Sequence, residues 1–451
     1  MARKNNPPKF ESRFESWGRY PSLAATVVPL YWASDFPPPR AAEGTVSSPL
    51  RMLPVGMGRS YGDVCLIANG TLLDTRGLDR FQSLDEQTGV LRCEAGVTLD
   101  EILRLCVPRG WFLPVTPGTR YVTVGGAIAN DVHGKNHHTA GTFGRYVRSL
   151  ELARSDGSRF TCSPQQNVEW FRATIAGMGL TGLILSAEIQ LRRIVSPLVR
   201  CEIRQFHGLD EFLSLSLAHQ STEYSLGWMD STATGRNFAR GVFMAATHSE
   251  VVEPLTPMPL RSWNLPLDLP GFVLNRGSVA ACNALYFHLH RTRQQPRLLS
   301  YDRFFYPLDR LLHWNRLYGK RGFVQFQCVL PQAADPLAML QLFKAISAAR
   351  LTSFLAVLKV FGDAVSPGIM SFPMPGISLA LDFPMRGEET LDLLGKLARI
   401  TAEHGGRLYP AKDTQMTATQ FQGFYPQWQQ FAAYVDPAFR SSFWERVTAR
   451  G

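Results

Sequence analysis

The sequence predicts an α+β protein built from two domains. At 451 residues the chain is too long for one ordinary hydrophobic core. Residues 50–195 are dominated by short strand and turn patterns, whereas residues 322–410 follow the order βαββαβ, a split-βαβ layer. The β-rich segment TGLILSAEIQLRRI ends the first pattern and places a boundary near residue 195.

The first pattern alternates strands with one clearly marked helix. TLLDTRGLDRFQSLDEQTGVLRCEAG predicts a strand, a turn and a strand. Thr98 and Glu101 then form a capping box before an apolar run that ends at Pro108, which predicts a helix. Asp156-Gly157 predicts a hairpin turn further along.

The second pattern is longer and more regular. The pattern predicts a strand over GFVQFQCVL, a helix over PLAMLQLFKAISAARL, and two strands over SFLAVLKVFG and ISLALDFPM. It then predicts a helix over EETLDLLGKLARITAEHGG, which its glycines end, and a final strand over RLYPAKD. Between the two patterns, residues 253–277 carry many prolines beside Leu, Trp and Phe. This segment predicts a long, partly apolar loop, and loops of that kind are usually functional or disordered.

Composition limits the class of protein and partner. A formal net charge of +10 favours anionic partners, namely a phosphorylated ligand, an acidic membrane surface or nucleic acid. No dense Lys and Arg run indicates a nucleic-acid tail. Seven scattered cysteines without a metal-type spacing fit a reducing compartment. The first 20 residues lack the apolar core of a signal peptide, and no apolar run reaches the length of a spanning helix, so we expect a cytoplasmic protein with at most peripheral membrane contact.

Two glycine-rich segments are candidate phosphate sites. PVGMGRSYGD carries Gly56, Gly58 and Gly62, whose backbone could form an anion nest or merely a tight turn. It is not a dinucleotide fingerprint of the Rossmann type, because the third glycine is displaced and no helix pattern follows. TVGGAIAND places Gly125 and Gly126 at a helix start, where free amides suit a pyrophosphate, although a close backbone crossing is the alternative.

The segment HGKNHH, residues 133–138, allows three interpretations. His133 and His137 could ligate a metal, but Gly134 argues against the helix that would align them. A solvated loop is the second possibility. The third is an active-site loop in which Lys135 and the histidines meet an anionic substrate or a reduced cofactor. We therefore predict no metal.

Polar residues also interrupt the apolar strands of the second pattern. Gln325 and Gln327 alternate and so share one face of a strand, Lys359 lies in FLAVLKVFG, and Lys412 is placed at the end of the last strand, beside Tyr409. A buried polar side chain needs a partner, which a substrate pocket or ordinary structural burial could provide.

Together, several of these segments resemble a known family. GMGRSYGD, PGTRYVTVGGAIANDVHGKNHHTAGTFG, GMGLTGLI, FYPLD…WNRLYG, FLAVLKVFG, LDFP and GGRLYPAKD resemble the decaprenylphosphoryl-β-D-ribose 2-oxidases, flavoproteins of the vanillyl-alcohol oxidase superfamily. The resemblance runs from about residue 20 to the C-terminus and is weakest over residues 195–300.

The resemblance implies a two-domain FAD-binding fold of the PCMH type with an inserted substrate domain, built on an antiparallel sheet with helices. It assigns residues 1–195 to the FAD-binding domain, 196–405 to the substrate domain and 406–451 to a return to the FAD-binding domain. By position, the FAD contacts carry over to Pro54, Val55, Gly56, Met57, Gly58, Arg59, Ser60, Tyr61, Gly62, Asp63, Val64, Gly118, Thr123, Val124, Gly125, Gly126, His133, Gly134, Lys135, Asn136, Ile184 and Tyr409. Arg59 and Ser60 stand where many relatives carry a flavin-linking histidine, which implies non-covalent FAD.

The same resemblance implies a substrate, a site and partners. The substrate is a lipid-linked sugar phosphate, oxidised at its 2-hydroxyl as the first half of a 2-epimerisation in cell-wall arabinan precursor synthesis. Lys412 and His133 carry over as catalytic residues, and the substrate-binding positions are Lys135, Gln325, Gln327, Lys359, Ser378 and Lys412. An NADH-dependent keto-reductase is the implied protein partner, and nucleic acid is not expected.

Three positions depart from the family pattern. Ser378 and Ala380 stand where the actinobacterial enzymes have Asn and Cys, and Phe305 stands where they have Tyr. The family's Cys is the residue that nitroaromatic inhibitors attack, so Ala380 predicts no trapping by that route. These departures leave open an FAD-dependent oxidase of another sugar, aldonolactone or alditol. The charge leaves open, from a different class, a non-catalytic basic protein that binds lipid or nucleic acid.

Overall fold

The protein is described by a computed structural model that covers residues 14–36, 51–255, 262–292, 295–332, 336–349 and 351–449. Helices and antiparallel sheets are both prominent, which confirms the predicted α+β class. Across these residues, no helix combines the length and the hydropathy needed to cross a bilayer.

The described residues of the N-terminal half form ten strands and four helices. The strands are β1 (Thr26–Pro29), β2 (Met52–Val55), β3 (Thr71–Asp74), β4 (Phe81–Asp85), β5 (Val90–Glu94), β6 (Trp111–Phe112), β7 (Val147–Ala153), β8 (Arg159–Cys162), β9 (Leu183–Gln190) and β10 (Arg192–Arg193). The helices are α1 (Leu99–Cys106), α2 (Val124–Ala129), α3 (His137–Ala140) and α4 (Val168–Thr174). A parallel sheet has the order β1-β3-β2, a second sheet has the order β4-β5-β9-β7-β8, and β6 pairs with β10.

The predicted local signals of this half are mostly confirmed. Thr98 Oγ1 accepts from the Glu101 amide while Glu101 accepts from the Thr98 amide, which is the predicted capping box at the start of α1. The turn at Asp156-Gly157 joins β7 to β8. The segment from residue 71 to 94 holds three strands rather than two, because Asp85 accepts from the amides of Gln87 and Thr88 and forms a second turn.

The C-terminal half is organised by one large sheet. Its strands are β11 (Leu198–His207), β12 (Tyr224–Met229), β13 (Arg240–His248), β14 (Trp263–Asn264), β15 (Arg297–Ser300), β16 (Leu311–Leu312), β17 (Phe323–Pro331), β18 (Ala356–Phe361), β19 (Gly376–Pro384) and β20 (Arg407–Leu408). Eight of them form an antiparallel sheet in the order β15-β11-β13-β12-β18-β19-β17-β20, and β14 pairs with β16. The helices are α5 (Leu209–Ala218), α6 (Arg276–Leu289), α7 (Tyr301–Phe305), α8 (Pro336–Ala349), α9 (Glu388–Glu403), α10 (Ala418–Phe424), α11 (Trp428–Ala432) and α12 (Ser442–Thr448).

The predicted βαββαβ order is confirmed by β17, α8, β18, β19, α9 and β20. Helices α8 and α9 pack together against one face of this part of the sheet, in a core that includes Phe326, Leu381 and Leu397. The helix α9 is followed by Gly405 with φ +69°, as its closing glycines predict. The opposite face of the sheet is therefore left for the candidate site.

The last predicted strand is shorter than expected. β20 ends at Leu408, and Lys412 lies in a 3₁₀ turn, Pro410–Lys412, rather than at a strand end. Proline explains the difference, because it has no amide hydrogen for the ladder and its φ is fixed. Lys412 is thus presented by a tight turn just beyond the sheet.

The C-terminal segment packs back on the N-terminal half. Ala438 accepts from the Met52 amide at 2.7 Å, and the Arg440 amide donates to Met52 at 2.9 Å. Arg51, the residue immediately before β2, forms an ion pair with Glu445 of α12. The domain boundaries at 195 and 405 stay a prediction, and β20, just past the second boundary, belongs to the large sheet.

Candidate active site

One continuous cavity of about 580 Å³ runs between the N-terminal half and the free face of the large sheet. Its walls are the loop 54–61, the loop 116–119, the segment 122–135, the turn 178–184, strands β17 to β19 and the segment 409–412. It brings together nearly all residues that the sequence singled out. The two glycine-rich segments and the polar strand residues line this same cavity.

The first glycine-rich loop offers unused backbone donors. Within the described residues, the amides of Met57, Gly58, Arg59 and Ser60 donate to no acceptor, while Gly58 takes φ +60°. The loop is held from behind, since the Tyr61 amide donates to the Ala411 carbonyl at 2.9 Å. Free amides in a rigid turn form a site for an anion such as a pyrophosphate.

The second glycine-rich segment does not offer free amides at its helix start. Helix α2 begins at Val124 as predicted, but the Val124 and Gly125 amides donate to Val97 and Ala95, both at 2.8 Å. The Gly126 amide is taken by the capping Thr123 hydroxyl at 3.1 Å. The prediction of pyrophosphate-binding amides at 125 and 126 is therefore wrong. These two glycines instead allow a ligand to approach the backbone closely, because they carry no side chain.

Space for a ligand is visible at two glycines of the cavity wall. A side chain built on Gly118 would meet nothing within 4 Å, and one on Gly126 would meet only the Thr123 hydroxyl. Both glycines line the cavity, so a Cβ at either position would project into it.

His133 lies where the segment 122–135 meets the large sheet. Its Nε2 is 3.0 Å from Gln327 Nε2, and its ring packs 4.9 Å from Phe361 and 5.5 Å from Tyr409. Burial is the larger cause and the nearby Lys359 the next that hold the pKa of His133 well below its usual range. The ring is therefore neutral. With Nε2 accepting from the glutamine amide, Nδ1 carries the proton. That donor is buried and has no partner among the described residues.

The floor of the cavity is one face of three paired strands. Gln325 pairs across the ladder with Asp382, Gln327 with Ala380, and Lys359 with Ser378. Residues that are directly opposite in a ladder share a face. All the predicted strand residues therefore point to the same side, and each predicted substrate position lines the cavity.

Lys412 enters the cavity from the 3₁₀ turn above this floor. Its ammonium nitrogen is 3.8 Å from the centre of the Tyr61 ring. Burial lowers the pKa of Lys412, with Lys359 acting in the same direction and Asp382 opposing it. A lysine that loses its proton near neutral pH can serve as a base.

Asp382 is a functional candidate that the sequence reasoning missed. The carboxylate is fully buried, Gln325 Nε2 donates to its Oδ1, and its Oδ2 has no partner among the described residues. Burial raises the pKa of Asp382, while Gln325 and Lys412 lower it. The signal was available in the alternation of β19, because Ser378, Ala380 and Asp382 are spaced by two residues.

Lys135 faces the cavity from the opposite wall. Its ammonium nitrogen donates to the Phe304 carbonyl and lies 4.5 Å from the centre of the Phe304 ring. Burial, aided by Lys359, lowers the pKa of Lys135 to about 7. Burial alone lowers the pKa of Lys359 to about 8. An anion bound near Lys135 and Lys359 would favour their charged forms, so the two side chains suit an anionic ligand.

Four predicted FAD positions do not line the cavity. A side chain on Gly62 would meet the Asp413 carbonyl at 1.7 Å, and Asp63 forms an ion pair with Arg446 at 2.7 Å. Val124 is fully buried, and Asn136 Nδ2 donates to the Pro114 carbonyl at 2.8 Å. These residues support the walls. All other predicted cofactor positions reach the cavity.

Metal binding finds no support in the described residues. Nowhere do three or more His, Cys, Asp or Glu side chains gather in a way that could hold an ion. His133 and His137 have ring centres 6.5 Å apart, and both rings pack against Phe361. The metal alternative for HGKNHH therefore gains nothing from the geometry of this segment.

Comparisons with known proteins agree with this geometry. A family model described as an FAD binding domain matches residues 46–163. The decaprenylphosphoryl-beta-D-ribose oxidase of Mycolicibacterium smegmatis is 33% identical over 95% of this chain and 95% of its own length. The Delta(24)-sterol reductase of Homo sapiens is 32% identical over 24% of this chain and 21% of its own length. The L-gulonolactone oxidase of Mus musculus is 28% identical over 30% of each chain.

The residues of the cavity fit FAD. The free amides of Met57 to Ser60 suit its diphosphate, the open space at Gly118 and Gly126 admits a flat ring, and the unpartnered Nδ1–H of His133 can donate to a ring carbonyl. The family model and the long alignment identify the same cofactor, so the alternative of a non-catalytic binding protein is set aside. The chain is an FAD-dependent oxidoreductase and belongs to the decaprenylphosphoryl-β-D-ribose oxidase family.

Proposed function

We propose that this enzyme oxidises the 2-hydroxyl of a polyprenylphosphoryl pentose, of the decaprenylphosphoryl-β-D-ribose type, to the 2-keto sugar. The observation that carries the proposal is the convergence of Lys135, Lys359 and Lys412 on the cavity that holds the free-amide loop. A sugar phosphate supplies the negative charge that Lys135 and Lys359 lack, and Lys412 is left to act on the sugar. The name of the relative from Mycolicibacterium smegmatis supports the same substrate class.

The lysines divide into two roles by their surroundings. Lys135 and Lys359 lie on opposite walls of the cavity, one from the segment after α2 and one from β18, and both suit a phosphate as point charges. A bound phosphate raises the pKa of each of them, because an adjacent anion favours the charged form. They therefore bind and orient the substrate.

Lys412 is the proton acceptor of the reaction. Oxidation of the alcohol removes a proton from the 2-hydroxyl oxygen and a hydride from the carbon that carries it. When bound, FAD supplies the acceptor for the hydride. Lys412 in its neutral form takes the hydroxyl proton, and the lowered pKa makes that form available near neutral pH.

His133 and Gln327 position the reacting groups. The bond between them fixes the histidine ring, and the surrounding aromatic rings exclude water from it. The neutral ring keeps Nδ1–H as a donor of fixed direction. We infer that this neutral donor contacts the bound cofactor or substrate through a hydrogen bond, which is the catalytic role that the resemblance assigns to His133.

The product defines the next step. A 2-keto sugar becomes the 2-epimer when a reductase delivers hydride to the opposite face, so we place this enzyme before an NADH-dependent keto-reductase. The two steps form a 2-epimerisation of the kind that yields a cell-wall arabinan precursor. We propose that the flavin is held non-covalently. In support, Arg59, which donates to the Tyr121 carbonyl and stacks 3.9 Å from Trp17, offers no nucleophile at the position where the resemblance would place a linking histidine.

The test is an absorbance experiment on the purified flavoprotein. Anaerobic addition of decaprenylphosphoryl-ribose bleaches the flavin band if the proposal holds. A flavin band that stays unchanged, in a protein that dithionite does reduce, refutes the proposed substrate. Release of all yellow colour into the supernatant after acid precipitation checks the non-covalent attachment.

A second candidate is the oxidation of another sugar, aldonolactone or alditol. Ser378, Ala380 and Phe305 all line the cavity and differ from the family pattern, so they favour a changed sugar. Faster flavin reduction by a water-soluble sugar than by the lipid-linked one would select this alternative.

A further inference from the structure

The cavity opens at a mouth framed by α6, β15 and α7. Arg297 of β15 and Arg303 of α7 line the cavity and are also exposed, so they lie where it meets solvent. Tyr286 and His290 line the same end, with their rings stacked 4.0 Å apart at the end of α6. A ligand that fills the cavity can therefore reach solvent beside this helix.

Helix α6 carries an apolar face on its outer side. Its inner side buries Val279, Asn283 and Phe287. Leu285 and Leu289, one turn apart, are 60% and 64% exposed. A surface helix ordinarily presents polar residues on the side away from the core, so this face is built for an apolar partner.

The apolar surface continues on both sides of α6 along the chain. Leu298 of β15, at the edge of the large sheet, is 55% exposed. The predicted proline-rich loop precedes the helix, and its described part covers residues 253–255 and 262–277. In this part the side chains of Trp263, Leu267 and Phe272 are each at least 73% exposed. Residues 256–261 of that loop lie outside the described residues. We call these six residues, Trp263, Leu267, Phe272, Leu285, Leu289 and Leu298, the docking face.

The docking face is edged by positive charge. Four exposed arginines belong to the same stretch of chain, namely Arg276, Arg291, Arg297 and Arg303. Of the three acidic residues between 253 and 303, Asp268 is neutralised by Arg19 and Asp302 by Arg120, which leaves only Glu253. Among the described residues, no carboxylate pairs with any of the four arginines. The surface thus combines exposed apolar side chains with uncompensated cations.

We propose that the docking face binds the surface of an anionic phospholipid bilayer and holds the cavity mouth against it. Apolar side chains enter the interface while arginines meet lipid phosphates, which is the pattern of interfacial membrane binding. The inference deepens the proposed function, on which it rests for the substrate's lipid tail. The sugar phosphate then enters the cavity while its polyprenyl chain stays in the bilayer.

A bilayer fits the surface better than a second protein copy. Leu285, Leu289 and Leu298 are direct chain neighbours of the cavity-lining Tyr286, His290 and Arg297, so a protein seated on the face would obstruct the route by which substrate enters. The four arginines would also meet their own like charges across a two-fold interface. A fluid anionic bilayer satisfies the apolar and the cationic parts and leaves the mouth accessible to a membrane-held substrate.

The test is sedimentation of the holoenzyme with vesicles of phosphatidylcholine alone or mixed with phosphatidylglycerol. The wild-type protein should pellet with the mixed vesicles, and less so at high salt. L285Q/L289Q and R276Q/R291Q should each lower the bound fraction at least about tenfold. The matched controls are L217Q, at an equally exposed leucine of α5, and R236Q, at an exposed arginine away from the mouth, and both should bind like wild type.

Activity separates this proposal from the proposed function. L285Q/L289Q should lose activity on decaprenylphosphoryl-ribose in vesicles yet reduce its flavin normally with a short-chain, water-soluble analogue. Equal pelleting of wild type and both double variants would overturn the docking face. So would a wild-type dimer in solution that the leucine variant abolishes. Flavin that no ribose phosphate reduces, with vesicle binding intact, would instead refute only the proposed substrate.

Discussion

Lys412 holds its ammonium nitrogen 3.8 Å from the centre of the Tyr61 ring, at the edge of the free-amide loop. The contact joins the proposed base directly to the loop that fits the cofactor diphosphate. Burial raises the pKa of Tyr61 well above its usual value, so the ring is a neutral phenol. Its face stabilises the ammonium form of Lys412 before substrate binds.

Replacing this lysine tests the proton transfer. Lys412→Met should lower the rate of flavin reduction by about 10²- to 10⁴-fold, because it removes a positioned base. The flavin spectrum and the substrate affinity should change little by comparison. Stopped-flow absorbance under anaerobic conditions gives the rate, and Lys320→Met, at an exposed lysine, is the control. A variant that reduces its flavin as fast as wild type removes Lys412 from the mechanism.

Asp382 should set the pH at which that base works. Asp382 raises the pKa of Lys412, so Asp382→Asn lowers it further and extends the neutral form to lower pH. We expect the acid limb of the pH–rate profile to move to lower pH, whatever the change in maximal rate. A limb that stays in place would show that the carboxylate acts only through packing with Gln325.

Lys359 should have the opposite effect. It lowers the pKa of Lys412, so Lys359→Met moves the acid limb to higher pH. The same variant should raise KM for the phosphorylated substrate, because a cation at the cavity floor is lost. Steady-state kinetics across pH measure both changes, with Lys344→Met on the surface of α8 as control. A shift in the same direction as that of Asp382→Asn would contradict the electrostatic assignment.

Arg120 should support the cavity wall through a buried ion network. It pairs with Asp100 at 2.9 Å and with Asp302 at 2.5 Å, and its amide donates to Asp309 at 2.9 Å. Arg120→Met leaves the buried Asp302 carboxylate without its cation, while Asp100 keeps Arg104, and should lower the free energy of unfolding by about 3–5 kcal/mol.

The second arginine that pairs with Asp100 provides the matched control for that measurement. Arg104 pairs with the same carboxylate at 2.8 Å but is 69% exposed, so Arg104→Met should cost less than about 1 kcal/mol. Denaturant unfolding followed by fluorescence measures both values. Equal losses for the two variants would show that burial does not decide the strength of these pairs.

Nitroaromatic inhibitors of the family should leave this enzyme without a covalent adduct. Ala380 lines the cavity, and it stands at the position where the resemblance implies a reactive cysteine. Cys65 also lines the cavity, but burial raises its pKa to about 12, which keeps it a poorly nucleophilic thiol. Intact-protein mass spectrometry should therefore show an adduct for Ala380→Cys and none for wild type. An adduct on the wild-type chain would locate a reactive thiol elsewhere.

Much of the fold and the site follows from local patterns. The alternation of Gln325 and Gln327 places both on one face, and the helix and strand order from 322 to 408 appears as predicted. These features depend on spacing and on turn residues, which a single sequence displays. The βαββαβ layer could therefore be predicted without any relative.

Features that depend on distant partners could not be predicted in the same way. The amides of Gly125 and Gly126 are occupied because the carbonyl of Ala95 and the hydroxyl of Thr123 reach them in the folded chain. Asp382 gains its role only because β17 brings Gln325 beside it and the 3₁₀ turn brings Lys412. Register and long-range contact, rather than local preference, decide these cases.

The order in which the chain is made bears on when the cofactor can bind. The free-amide loop rests on the Ala411 carbonyl, and Asp63 just after it pairs with Arg446, 383 residues further along. A nascent chain that has exposed the loop but not this distant brace has no finished diphosphate seat. We therefore expect flavin to load only after residues 411 and 446 have left the ribosome, and a chain that terminates before residue 411 should be colourless.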